Sequence, residues 1–219
     1  MTQLVWFRND LRLADNPALT AACQQDAPVR ALFLITPGQW RQHDWSPAKV
    51  QLLLGLLDDI GRQLAGLGIP LEVVECNDFA ASIRALEDHC HQHGIRQLHF
   101  NEEYGINERR RDRSVRDALR RSDIDVCKYR DQTVAPVGSI RTGQDEPYSV
   151  FTPFSRRWRQ WVEDTSPTIL PVPKPVGPSV KWSPSPPTTT YLGFGSPPPA
   201  LVQPDEQSAH DQLDRSAPG

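Results

Sequence analysis

At 219 residues, the chain can hold one well-buried core plus an appendage. Its prolines mark the division, since 13 of the 21 lie between Ser166 and Gly219. A formal charge of −3 and a pI near 6.1 exclude a coat of positive charge for nucleic acid. No apolar run approaches the roughly 18–20 residues of a membrane span, and no signal peptide precedes the opening Leu-Val-Trp-Phe. The expected setting is the cytoplasm, with Cys23, Cys76, Cys90 and Cys127, none in CxxC spacing, as reduced thiols.

Taken in chain order, short apolar runs alternate with segments of helical period. Leu4–Phe7 predicts a strand buried on both faces. Pro17–Ala22 predicts a short helix capped by Asp15 or Asn16, and Val29–Ile35 a second strand. Ser46-Pro47 opens a helix carrying Leu52, Leu53, Leu56, Leu57, Ile60 and Leu64 toward a stop at Gly68. Leu71–Glu75 is a third strand, and Asp78 caps a helix running to about Gly94. Gln97–Phe100 is a fourth strand, Asn107–Arg121 an arginine-rich helix and Asp125–Tyr129 a fifth strand. This order predicts an α/β fold, a doubly wound five-stranded parallel sheet of Rossmann-like architecture.

Residues 1–130 are expected to form the domain core, and 131–165 a loop and a closing helix with Phe154, Trp158 and Trp161 at helical spacing. Residues 166–219 read as a Pro-rich, semi-extended linker with too few apolar side chains to bury, followed by a polar end.

Open α/β sheets bind ligands beyond the carboxyl ends of their strands. Arg8-Asn9-Asp10-Leu11-Arg12 follows the first strand, Trp40 and His43 follow the second, and Asn101 to Glu108 follows the fourth. Neither GxGxxG nor GxxxxGK[ST] is placed to cradle a phosphate. An aromatic, a histidine, an amide and a carboxylate together suit a flat heterocycle with polar edges. Carboxylates and arginines at loop ends are more often solvated or structural.

Leu4-Val5-Trp6-Phe7-Arg8-Asn9-Asp10-Leu11-Arg12-Leu13-Ala14-Asp15-Asn16-Pro17-Ala18-Leu19 resembles the opening of the photolyase/cryptochrome family. Tyr104 to Arg109 resembles a loop and helix start of that family. Tyr148-Ser149-Val150-Phe151-Thr152-Pro153-Phe154 with Trp158 resembles the segment that closes its α/β domain. The pattern is most similar to bacterial class I cyclobutane pyrimidine dimer photolyases with a folate antenna. The resemblance implies a light-dependent lyase whose 5,10-methenyltetrahydrofolate passes excitation to a reduced flavin adenine dinucleotide (FAD). It implies pterin contacts from Asn107, Glu108 and His43, beside Trp40. Asn107 and Glu108 could also serve only as a helix cap, with acid at the positive helix end.

In that family the flavin, the DNA-binding groove and the electron-relay tryptophans belong to a helical C-terminal domain. Ala209–Arg215 reads as the start of its first helix, so the expectation is an antenna-binding fragment. Such a fragment would be monomeric, would reach damaged DNA only through the missing domain, and would not repair it alone. A cryptochrome-like photoreceptor module and a free-standing small-ligand domain are the competing expectations.

Other clusters predict ordinary roles. His89-Cys90-His91-Gln92-His93 reads as a solvated helix end with no acidic or cysteine partner placed by sequence, so no metal site is expected. Seven arginines from Arg109 to Arg121 suggest a salt-bridged outer face, with Asp112–Arg116 and Asp117–Arg121 as pairs. Trp158 and Trp161 are expected in a core or interface. Arg8, Asp10 and Arg12 are expected to act as strand-end structure or to meet the missing domain.

Overall fold

The computed structural model describes residues 2–183, 186–200 and 202–216. Of the sequence expectations, the chain start at Met1 and parts of the Pro-rich stretch and polar tail (184, 185, 201 and 217–219) lie outside the described residues. Strands β1 (Thr2–Phe7), β2 (Val29–Ile35), β3 (Leu71–Glu75), β4 (Ile95–Asn101) and β5 (Asp125–Tyr129) form one sheet in the order β3-β2-β1-β4-β5. Every pairing is parallel, as the alternation of strands and helices predicts. Helices α1 (Pro17–Cys23), α2 (Pro37–Gln42), α3 (Pro47–Gly66), α4 (Phe79–Gln92), α5 (Ile106–Arg121), α6 (Phe151–Thr165) and α7 (Glu206–Ser216) complete the chain. No helix among the described residues is long and apolar enough to cross a membrane.

Because neighbouring side chains of a strand point to opposite faces, the unbroken apolar runs of β1 and β2 feed two cores. Val5, Phe7, Ala31, Phe33 and Ile35 pack beneath α1 and α3, against Leu19, Val50, Leu57, Ile60 and Leu64. Leu4, Trp6, Leu32 and Leu34 join Leu98 and Phe100 beneath α4 and α5, against Leu86, Cys90, Val115 and Leu119. The caps follow the sequence. Asn16 Oδ1 accepts from Leu19 N–H at 3.1 Å, Ser46 Oγ from Lys49 N–H at 3.3 Å, and Asp78 Oδ1 from Ala81 N–H at 2.9 Å. The short α2 was not expected; Pro37 at its first turn is its only sequence signal.

Two expectations are corrected. Helix α6 buries no residue, and Trp158 and Trp161 are half-exposed, which rules out the core placement of the two expected, core or interface. The Pro-rich stretch is not a free linker but an extended strap laid across α3. Val176 N–H donates to Leu67 O at 2.9 Å, and Val180 N–H to Ala65 O at 2.9 Å. Trp182 Nε1–H donates to Asp58 Oδ1 at 2.8 Å, and its indole covers Gly61, where a Cβ would lie 2.5 Å from the ring. Leu192 enters the first core and Phe194 packs on it. Proline keeps such a strap extended and has no N–H to leave unpaired, so a few spaced apolar anchors suffice. Sparse apolar content therefore did not mean a detached segment.

His99, buried in β4, sets its Nε2 2.8 Å from Gln3 Oε1 and its Nδ1 2.9 Å from Tyr129 Oη. The neutral ring satisfies both contacts, donating to Gln3 and accepting from Tyr129. Burial pushes its pKa from 6.5 down to about 4. The folded pKa lies below the unfolded one, so stability is full above pH 6.5 and falls as the pH drops toward 4, by on the order of 3 kcal/mol. Urea denaturation at pH 7, 6, 5 and 4 should show this loss. His99→Gln should reduce its slope but not abolish it, because buried His89 is pushed down to about 4 as well. For the strap, Trp182→Ala should cost about 2 kcal/mol and speed proteinase K cleavage between residues 170 and 195. Equal cleavage rates in variant and wild type would contradict a docked strap.

Candidate functional site

The chain winds outward from β1 through β2 to β3, then returns to place β4 on the other side of β1. Connections leaving β1 and β4 diverge there, which opens a crevice over their carboxyl ends. A cavity of about 500 Å³ occupies it, lined by Arg8, Asn9, Asp10, Asn101, Glu103 and Asp131 among others.

Its floor is a buried charge network. Arg8, Glu103 and Arg111 are 6%, 7% and 7% exposed, too little for water to solvate their charges. Arg8 Nη1 donates to Asp112 Oδ1 at 2.9 Å, and its Nε lies 3.7 Å from Glu103 Oε2. Arg111 Nη2 donates to Glu103 Oε2 at 2.7 Å and to Asp112 Oδ1 at 2.8 Å. Both guanidinium groups lie over Trp6, at 4.8 and 4.7 Å from its ring centre. Burial alone would raise the Glu103 carboxyl, but Arg8 and Arg111 outweigh it and hold it below the usual carboxylate range. Asp10 shows the reverse balance: burial raises its pKa despite the pull of Arg8 and hydrogen bonds from Arg8 N–H and Asn101. Arg12 pairs with Asp131. Arg8, Asp10 and Arg12 thus make strand-end contacts within the chain, one of the two roles expected of them.

Beside this floor lies a smaller pocket of about 270 Å³, between α2, α3 and the start of α5. It brings together Trp40, His43 and Glu108, three of the four residues singled out by sequence, with Gln39, Trp45, Asn9 and Glu103. Trp40 is a buried wall: it stacks on Trp45 with ring centres 5.1 Å apart and planes 2° apart, and Phe194 of the strap lies 6.3 Å away. His43, just after α2, is exposed at the rim. Gly105 is the N-cap of α5, which makes Glu108 the third helical residue. Its carboxylate folds back into the space a Cβ on Gly105 would need. Asn107, at the second helical position and half-buried, does not line the pocket.

Several sequence readings change here. The arginine helix is not wholly an outer face: Arg111 is buried, and Asp112 turns inward to Arg8 and Arg111 rather than to Arg116. Arg116 pairs with its neighbour Asp117 at 2.9 Å, in place of both expected i,i+4 pairs. His89 is buried, not solvated, and β3 supplies it with an acidic neighbour, Glu72. The cysteines are free thiols, as expected, and burial pushes Cys23 up to about 11 and Cys90 up to about 12, unlike activated nucleophiles. Sequence reading placed Glu103 only within a segment over the crevice and missed Arg111 and Trp45 as pocket residues. Of these only Trp45 carried a local signal, its spacing of five from Trp40.

Removing the charge of Glu103 leaves two buried arginines sharing one carboxylate. Glu103→Gln should therefore cost about 3–5 kcal/mol and lower the Tm by about 10 °C. Glu102→Gln removes only a more exposed pair, to Lys128 at 3.1 Å, and should cost less than about 1 kcal/mol. Thermal denaturation of the two variants side by side checks the contrast; equal losses would contradict a buried, interdependent network.

A family model described as DNA photolyase matches residues 3–176. A deoxyribodipyrimidine photo-lyase of Escherichia coli K12 is 39% identical over 214 residues, which are 97% of this chain and 44% of the relative. A solved bacterial class III photolyase from Agrobacterium tumefaciens superposes with a TM-score of 0.76 at 25% identity, over 97% of this chain and 43% of that one. The archaeal photolyase of Sulfolobus tokodaii, solved with two FAD molecules, shares the fold at a TM-score of 0.72 and 21% identity, over 100% of this chain and 47% of that one. The chain spans less than half the length of these relatives. The match over most of the chain and the five-stranded parallel sheet with its β1/β4 crevice agree: the chain belongs to the DNA photolyase family.

Proposed function

We propose that this chain is the antenna half of a light-dependent deoxyribodipyrimidine photolyase and that it binds 5,10-methenyltetrahydrofolate through its pterin. The observation that carries this reading is the pocket in which Glu108, His43 and Trp40 meet. At about 270 Å³ it lies just below the usual range for sites that enclose a whole ligand, which suits a bicyclic ring with the rest of the ligand in solvent. The donor set fits: a carboxylate accepts from the N–H groups of the pterin edge, and His43 at the rim supplies a further polar contact. Trp40, fixed by Trp45, forms an apolar wall that holds the ring in one orientation and excludes water. Asn107 enters this reading through the family resemblance alone.

When bound, the folate supplies light absorption. The chain's own part is to bind and orient it, and no side chain here has to move a proton. On the same reading, excitation serves electron donation by a reduced flavin to a cyclobutane pyrimidine dimer in DNA. That activity belongs to a protein long enough to hold a flavin domain, as the relatives' greater length allows.

Titration of the purified chain with methenyltetrahydrofolate should red-shift its absorption band. Glu108→Ala should weaken binding by about tenfold or more, through loss of charge-assisted hydrogen bonds. Binding of the variant as tight as wild type would overturn the site assignment. FAD titrated in parallel separates a folate antenna from a flavin one. Reading the DNA beyond codon 219 for an open frame encoding a tryptophan-rich helical segment tests the repair reading.

A further inference from the structure

At the opposite end of the sheet, near the amino ends of the strands, stands a second cluster independent of the pocket above. His89 and His93 lie one turn apart at the end of α4, so both rings project from the same helix face, their centres 4.5 Å apart. Glu72 rises toward them from β3, an edge strand of the sheet. Its Oε2 lies 3.6 Å from His89 Nδ1, and its Oε1 lies 3.2 Å from His93 Nε2. One ligand atom from each residue can be chosen so that all three lie within 4.8 Å of one another.

The geometry points to a divalent transition-metal site of Zn²⁺ type formed by Glu72, His89 and His93. Metal–ligand distances of about 2.0–2.1 Å in a tetrahedron place neighbouring donor atoms about 3.3 Å apart. Both carboxylate–imidazole separations fall close to that edge, so coordination needs only small side-chain rotations. The contacts are loose as they stand: His89 Nε2 is buried with no hydrogen-bond partner, and His93 Nε2 faces Glu72 Oε1 without hydrogen-bond geometry. Histidines placed for structure alone normally satisfy both nitrogens, as His99 does with Gln3 and Tyr129.

Arg30, on β2, now bonds the Glu72 carboxylate and stands where a cation would be favoured. Its side chain is 26% exposed and borders, with His93, an open cavity of about 1120 Å³, so the guanidinium can swing into water when a metal arrives. Three protein ligands leave a fourth position to be filled by water. A bound ion would tie edge strand β3 to the end of α4.

Co²⁺, whose visible absorption is strong in tetrahedral and weak in octahedral sites, is the probe, with Zn²⁺ as competitor. Untagged, fully reduced chain should take up one equivalent of Co²⁺ with intense visible bands and no thiolate charge-transfer band, and Zn²⁺ should bleach them. His93→Ala, at a half-exposed helix end, should keep the wild-type circular dichroism and lose at least about tenfold in affinity. Glu72→Gln should do the same, whereas Arg30→Gln should bind severalfold tighter because it frees the carboxylate. Weak octahedral bands, a thiolate band, or His93→Ala and Glu72→Gln binding as tightly as wild type would overturn the site. So would weaker binding by Arg30→Gln.

Discussion

Two guanidinium groups lie over the same indole inside this molecule, those of Arg8 and Arg111 over Trp6, with Glu103 and Asp112 between them. Four ionised groups out of water are tolerable only if each charge meets its opposite in good geometry. That condition fixes the carboxyl end of β1, which carries Arg8, the loop after β4, which carries Glu103, and the first turns of α5, which carry Arg111 and Asp112. The crevice between β1 and β4 takes its shape from the same contacts. Asn101 extends the constraint to α1, accepting from Ala18 N–H at 3.0 Å and donating to Asn16 Oδ1 at 2.9 Å. The start of α5 is therefore held from below, and Glu108 on that turn is carried to the rim of the small pocket.

The other wall of that pocket depends on a different kind of constraint. Trp40 sits on the six-residue helix α2, too short to be stable by itself. It is held by stacking on Trp45 and by Phe194 of the Pro-rich strap. Arg41 donates to Leu192 O at 2.9 Å and lies over the Phe194 ring, binding strap and helix together. A stretch whose composition resembles a spacer thus helps hold a candidate ligand wall. Helix α7 adds a second tie: Glu206 in its first turn accepts from Leu13 and Ala14 N–H, in the segment that follows β1.

The two candidate sites lie at opposite ends of the sheet and differ in chemistry. The pocket at the carboxyl ends combines an aromatic wall with a carboxylate and a rim histidine, a set suited to a planar, polar-edged ring. The cluster at the amino ends places two imidazoles and one carboxylate within ligand reach, with an arginine as resident counter-ion.

Much of the fold was legible in the sequence because its signals are local. Apolar runs at Leu4–Phe7 and Val29–Ile35 mark strands buried on both faces, and Asn16, Ser46 and Asp78 mark helix starts through hydrogen bonds that span three residues. Three segments, at residues 4–19, 104–109 and 148–158, carry the family resemblance in the sequence itself, and with the convergence of parallel-strand ends that resemblance groups Trp40, His43, Asn107 and Glu108. What only the tertiary structure decided depends on pairs far apart in the chain. Arg8 meets Asp112 across 104 residues, Trp182 meets Asp58 across 124, and Glu72 meets the histidines of α4 from another element. Charge and periodicity are written in each residue and its near neighbours. Burial, which turns a surface arginine into a structural one and a helix-end histidine into a candidate ligand, exists only once distant segments have packed.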